Sequence, residues 1–277
     1  MLDTVIATGS SACKRIAAFP WRGGKYRLAP KIAGLLPSHK IYVEVFGGAA
    51  SVLLAKPPSE IEVYNDRNGW LVNFFETVRN SPVQFLEKCR WLHYSRQLYY
   101  EWRDQLEEDI ETVGLDRVEA AVRTAYTISS AFVGDPTKGW RFDRSGAHGG
   151  SASWTNIAGR VAYLSQRLRS VNIDHLDFRK CIRNWDSAGT LFFLDPPYLS
   201  TVSKGYYSFI EQDHKDLAQL LAGIHGKFIM TYDDTPEIRE FYKRFSLLPF
   251  RTSHNSVKVK MGQKRHAFRQ ILIFNRV

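Results

Sequence analysis

"KIYVEVFGGAASVLLAK", residues 40–56, decides the fold. Lys40 to Phe46 is rich in β-branched and aromatic side chains, the composition of a buried strand. Gly47 and Gly48 follow at once, and small residues then lead into an apolar helix. Strand, glycine turn and helix together open a doubly wound α/β sheet, in which each parallel strand needs a crossover before the next. "EIEVYNDRN", residues 60–68, reads as the second strand, ending at Asp66.

Outward from this unit the grammar changes twice. A helix is expected over Leu28–Leu36 ahead of it. From about Phe74 to Leu168 long helical patterns take over, in "FLEKCRWLHYSRQLYYEWRDQL", "DRVEAAVRTAYTISSAFVG" and "ASWTNIAGRVAYLSQRLRSV". Between the last two lies "DPTKGWRFDRSGAHGGS", residues 135–151, a glycine-rich loop with basic and aromatic side chains. Strand patterns return in "NIDHLDF" (172–178), "TLFFLDPPY", "KFIMTYDDT" (227–235) and "RQILIFNRV", with "DHKDLAQLLAGI" as a helix among them. The layout is an α/β domain, residues 1–75 and 166–277, interrupted by a helical lobe at 76–165.

"TLFFLDPPYLS", residues 190–200, carries the chemistry. Five positions of strand end in a carboxylate, two prolines and an aromatic ring. Prolines donate no N–H, so Pro196 and Pro197 stop the strand and leave a stiff turn whose carbonyls are acceptors. Asp66, Asp177 and Asp195 all read as strand-exit acids, with a cap of the following segment as the alternative for Asp177, and ligands of open α/β sheets bind outside those exits. Asp66 falls 19 residues past Gly47, the spacing at which an acid meets ribose hydroxyls. No GxxxxGK[ST] loop is present, so a nucleoside without phosphates suits the turn better than a triphosphate. An exocyclic amine on a nucleobase offers two N–H donors, which Asp195 and the Pro196 carbonyl would accept. Tyr198 offers a ring for the base to stack on, worth about 1–3 kcal/mol. A base in a duplex reaches such a pocket only by flipping out.

The formal charge is +10, and it is concentrated. Thr4–Val43 and Arg251–Val277 each carry seven Lys or Arg and no acid. Such segments suit a polyanion. Cys13, Cys89 and Cys181 show no metal-ligand spacing, the eight histidines form no ligand pairs, and no metal is expected. No stretch approaches the roughly 18 apolar residues of a membrane span, and a signal-peptide layout is absent, so a cytoplasmic location is expected.

At these residues the chain resembles the Dam-like, S-adenosylmethionine-dependent DNA adenine-N6 methyltransferases, over most of its length. "FPWRGGKYRLAPKI" (19–32) is similar to the family's N-terminal cofactor segment, which implies Trp21 and Lys25 near the methionine end of the cofactor. "VEVFGGAASV" is similar to the glycine motif, implying Glu44, Phe46, Gly47 and Gly48 at the cofactor. "YNDRN" implies Asp66 as ribose ligand, "LDF" implies Asp177 and Phe178 beside the cofactor adenine, and "DPPY" implies Asp195, Pro196, Pro197 and Tyr198 as the catalytic motif. "MTYDDTPEIREFY" resembles the strand and helix that follow it. The chain departs at Ala50, where a glycine is common, and Gly47 is expected to give the turn the room that the Ala50 methyl takes.

The resemblance implies a Rossmann-like methyltransferase sheet with an inserted helical target-recognition domain, double-stranded DNA as partner, and direct transfer to N6 of a flipped adenine. Lys138, Trp140, Arg141 and Arg144 in "TKGWRFDR", and Lys258, Lys260, Lys264 and Arg265 in the acid-free tail, are the candidate DNA contacts. One lobe per chain suits a monomer. Three alternatives stay open. Cytosine-N4 transfer makes the same demands, although those enzymes more often open the motif with Ser. RNA adenine would look alike to the pocket, and a DNA-binding regulator could keep the fold without turnover.

Overall fold

A computed structural model describes residues 17–142, 154, 156–199, 209–253 and 267–275. Seven strands form one sheet: β1 (Ile41–Glu44), β2 (Ile61–Asn65), β3 (Val171–Asp174), β4 (Thr190–Leu194), β5 (Lys227–Asp233), β6 (Ser246–Ser253) and β7 (Ala267–Phe274). Their order is β3-β2-β1-β4-β5-β7-β6. The first five run parallel, β7 lies antiparallel to β5, and β6 antiparallel to β7. Ile41 is in register with Ile61 on one side and Thr190 on the other. Succession therefore runs outward in opposite directions from β1 and β4, and the crevice at their carboxyl ends is the switch point where such sheets bind ligands.

The sequence explains the interior. All five residues of β4 are buried, as a central parallel strand covered on both faces requires. Along β5, Phe228, Met230 and Tyr232 enter one core, with Val43, Phe192, Leu194 and the helices α9 (Phe178–Trp185) and α10 (Glu211–Leu221). On the opposite face Tyr42, Tyr64, Phe193 and Leu272 join Phe74, Phe75, Phe85, Tyr126, Trp154 and Leu164. All of those partners but Trp154 come from α3 (Gly69–Asn80), α4 (Pro82–Arg90), α7 (Arg117–Ser130) and α8 (Ile157–Leu168), so the helical lobe shares its core with the sheet. Helix α3 runs through residue 75, and Asn68 caps its start by accepting from the Trp70 and Leu71 N–H groups. The remaining helices are α1 (Ala29–Leu35), α2 (Ser51–Ala55), α5 (Arg96–Gln105), α6 (Ile110–Val113) and α11 (Pro236–Phe241).

Two local expectations change, and one strand was not foreseen. β3 ends at Asp174, and Asp177 is not a strand exit: it caps α9, accepting from the Arg179 N–H at 2.9 Å. A short acid just before a helix satisfies an amide that no earlier carbonyl can reach. β6 shows no strand signature because Pro249 interrupts it; as the edge strand it tolerates a missing N–H. In the glycine turn it is Gly48 (φ 49°) and Ala50 itself (φ 54°) that take the left-handed conformation. Gly47 serves another purpose, since a Cβ there would stand 2.2 Å from the Tyr64 ring.

Helix α8 is fastened to the sheet by buried charge. Glu62 on β2 pairs with Lys56 at 2.5 Å and with Arg167 of α8 at 2.5 Å. Arg167 also donates to the Leu53 carbonyl at 2.8 Å. Burial opposes ionisation of Glu62, yet its bonds from Arg167 and Lys56 outweigh that and hold the carboxyl below its ordinary value. Glu62→Ala leaves two buried cations without their partner, so an unfolding free energy lower by about 3–5 kcal/mol is expected in urea titration.

Candidate active site

The site is built from the first turn outward. Asp66, at the end of β2 and 4 % exposed, accepts from the Gly48 N–H at 2.8 Å and from the Asn68 N–H at 2.8 Å. The Tyr64 hydroxyl donates to the Gly48 carbonyl at 2.9 Å. One acid and one phenol thus hold the turn from below. From above comes Trp21: a Cβ on Gly48 would stand 2.8 Å from its Nε1, so the glycine is what lets the indole approach. Glu44, 2 % exposed, accepts from the Tyr42 hydroxyl at 2.9 Å and from the Leu53 N–H at 2.7 Å. Burial pushes its carboxyl up to about 7 despite those bonds.

Lys25 reaches across the crevice. Its ammonium, 6 % exposed, donates to the Gly23 carbonyl at 2.8 Å and to Asp195 Oδ2 at 2.6 Å. Asp195 Oδ1 accepts from Thr231 Oγ1 at 2.7 Å and from the Tyr198 hydroxyl at 3.3 Å. Gln270 of β7 donates to the Tyr198 oxygen at 3.3 Å, and the Tyr232 hydroxyl donates to the Pro197 carbonyl at 3.0 Å. The Tyr198 ring is stacked on Tyr232 with centroids 5.0 Å apart and planes at 24°, and Lys25 Nζ lies over it at 5.2 Å. Burial, with Asp195 beside it, keeps the Tyr198 phenol well above its ordinary value.

Phe46 and Phe178 meet at 5.8 Å, and both touch Phe209, at 5.7 and 5.5 Å. The structure therefore brings Trp21, Lys25, Gly47, Gly48, Asp66 and the Asp195–Tyr198 turn to one end of the sheet, with Glu44 beneath the turn and the three rings alongside. Asp177 is engaged with Arg179 at 3.2 Å, and Arg179 also binds Asp213 and Asp216. Thr231, Tyr232, Gln270 and Phe209 were not among the expected site residues. Their only sequence signal is the strand parity of "MTYDD", which puts Thr231 and Tyr232 on opposite faces without saying what either meets.

The lobe loop comes close to the cofactor segment. Arg22 pairs with Asp135 at 3.2 Å, and a Cβ on Gly134 would stand 2.2 Å from the Pro20 carbonyl oxygen. Beside it Trp140 stacks on Tyr94 (5.1 Å, 26°) and on Phe142 (6.1 Å, 29°), under the Arg96 guanidinium at 4.9 Å. Lys138 is exposed, and the Arg141 carbonyl accepts from Tyr94 at 2.8 Å. Arg144, Lys258, Lys260, Lys264 and Arg265 lie outside the described residues. Among the described residues no cluster of acids, histidines or cysteines could hold a metal ion, and no helix is long and apolar enough to cross a membrane.

Comparison with known proteins finds one family. The sequence profile of the D12 class N6 adenine-specific DNA methyltransferases matches residues 21–255. A Type II methyltransferase of Lactococcus lactis subsp. cremoris, M1.LlaDCHI, is 24% identical over 82% of this chain and 84% of its own length. A DNA adenine methylase of Escherichia coli K12 is 24% identical over 84% of this chain and 86% of its own. One from Vibrio cholerae O395 is 31% identical over 34% of this chain and 35% of its own.

Glu44 makes a pH prediction. A carboxyl that holds its proton more tightly folded than unfolded weakens the fold as pH rises from its unfolded value, 4.5, through its folded one, about 7. Stability lost over that window reaches about 3 kcal/mol. Urea midpoints at pH 5, 6 and 7.5 should fall in the wild type and fall less in Glu44→Gln.

Proposed function

The chain belongs to the D12 class of N6 adenine-specific DNA methyltransferases, and we propose that it transfers the methyl group of S-adenosylmethionine directly to N6 of an adenine flipped out of duplex DNA. The observation that carries this is the count of acceptors on Asp195. A carboxylate has about four acceptor positions. Thr231 and Tyr198 use two on Oδ1 and Lys25 uses one on Oδ2, which leaves one on Oδ2. With the Pro196 carbonyl that makes two acceptors for the two N–H bonds of an exocyclic amine. Accepting both holds the nitrogen and turns its lone pair toward the crevice. Tyr198, backed by Tyr232, contributes its ring to the wall against which the base sits.

The residues present fit S-adenosylmethionine. Asp66, buried at the exit of β2 and bonded to the Gly48 and Asn68 N–H groups beside the glycine turn, is placed to meet the ribose hydroxyls. Phe46, Phe178 and Phe209 offer apolar ring surface for the adenine, with Asp177 beside them. Trp21 and Lys25 lie at the methionine end, next to Asp195, and Glu44 supports the Gly47–Gly48 turn. The cofactor supplies a methyl group on a sulfonium, which leaves without further activation. What the protein contributes is alignment and orientation of the attacking lone pair. A cysteine nucleophile has no place here: among the described residues Cys89 and Cys181 are buried, and burial pushes the Cys89 thiol up to about 12 and that of Cys181 higher still.

Residues 76–165 serve as the target-recognition lobe on the catalytic domain of residues 1–75 and 166–277. Lys138 and Arg141 meet the DNA in this proposal, with Trp140 as the stacked platform of their loop, joined by Arg144 and by Lys258, Lys260, Lys264 and Arg265. The protein works as a monomer in the cytoplasm.

Methyl transfer from labelled S-adenosylmethionine to unmethylated duplex DNA, read by nucleoside mass spectrometry, should give N6-methyladenine; N4-methylcytosine would overturn the choice of base. Asp195→Ala should reduce turnover to background with DNA affinity preserved, and near-normal turnover would remove Asp195 from the chemistry. Asp66→Ala should weaken cofactor binding by calorimetry far more than DNA binding, about tenfold or more for loss of a charged hydrogen bond.

A further inference from the structure

The turn Asp195–Tyr198 has an unusual difficulty. Two of its four residues are prolines, so it has few N–H groups with which to be tied down. Its position has to be set through side chains and carbonyls. Thr231 fastens the first residue from the lobe-side face of β5. The next residue along β5 points to the other face, where it enters the second core.

That residue is Tyr232, and it touches the turn twice. Its ring lies under Tyr198 at 5.0 Å and 24°. Its hydroxyl donates to the Pro197 carbonyl at 3.0 Å. A phenol has one hydrogen, so with that hydrogen on Pro197 the oxygen can only accept. One donor to it is His214 of α10, whose Nδ1 stands 2.8 Å away, and the Leu199 N–H at the end of the turn is another. His214 is fully buried, edge-on to Phe209 at 4.6 Å. Burial lowers its pKa to about 4 against the pull of Asp213 and Glu211, so the ring is neutral at working pH and carries one N–H to give.

We infer that Tyr232 and His214 are positioning residues for methyl transfer: a relay from the His214 N–H through the Tyr232 hydroxyl to the Pro197 carbonyl sets where the Pro196 carbonyl and the Tyr198 ring stand. The rigid φ of both prolines transmits any shift at Pro197 to its two neighbours. The inference rests on Asp195–Tyr198 being the catalytic turn, and Asp195→Ala reports on that separately.

Tyr232→Phe keeps the ring and removes only the hydroxyl. Expected is a fall in kcat of about tenfold, the rate equivalent of one lost hydrogen bond, with the cofactor Kd by calorimetry and the DNA Kd within about twofold. Tyr242→Phe is the control: its hydroxyl is buried with no partner among the described residues, its ring lies 6.3 Å from Tyr232, and its loss should leave kcat unchanged. His214→Gln retains an N–H donor and should stay closer to wild type than His214→Leu. Two results would overturn the inference while Asp195→Ala is inactive. One is wild-type kcat in Tyr232→Phe. The other is a parallel loss of kcat, both affinities and melting temperature, which would make the relay a support of the fold alone.

Discussion

The bond between Lys25 and Asp195, at 2.6 Å, joins residues 170 positions apart and sits where the sheet reverses its order. Ion pairs removed from water survive only when their remaining valences are met. Most are met here: Gly23 takes a second hydrogen of Lys25, while Thr231 and Tyr198 supply Asp195. The carboxylate is thereby held in one orientation by three elements, the N-terminal segment, β4 and β5. Loss of any one would let it turn.

The same economy recurs around it. Asp66 both closes the glycine turn through the Gly48 N–H and caps the entry to α3 through the Asn68 N–H. Glu62 joins β2 to α8 and so ties the lobe to the sheet. Arg22 and Asp135 bring the lobe loop against the cofactor segment. Because the lobe helices share a core with one face of the sheet, the lobe is placed rigidly relative to the crevice. The opposite face supports the Asp195–Tyr198 turn from behind, through Tyr232 and His214.

Much of this was legible in the residues. Alternation and runs of β-branched side chains marked β1, β2, β4 and β5, and the order of motifs marked the crevice. Asp195, Asp66, Lys25 and Trp21 were all named from their spacing and resemblance, and the structure brings them to one end of the sheet. Where local signals competed, the sequence misled. Asp177 looked like a strand exit although Asp before a helix is also the standard N-cap, and Pro249 concealed an edge strand. Ala50 looked like a misfit in need of a neighbour's help, yet it takes the left-handed turn itself.

The sequence by itself determined the fold class, the position of the Asp195–Tyr198 turn and the family, because these are written in short stretches whose backbone and chemistry are local. Only the tertiary structure decided that Lys25 pairs with Asp195, that Thr231 and Tyr232 hold that turn from opposite faces, and that Phe209 joins Phe46 and Phe178. Each of those contacts joins side chains from separate strands, helices and loops. No spacing along the chain encodes them, since they exist only once strand order and register have been fixed by burial of the two cores.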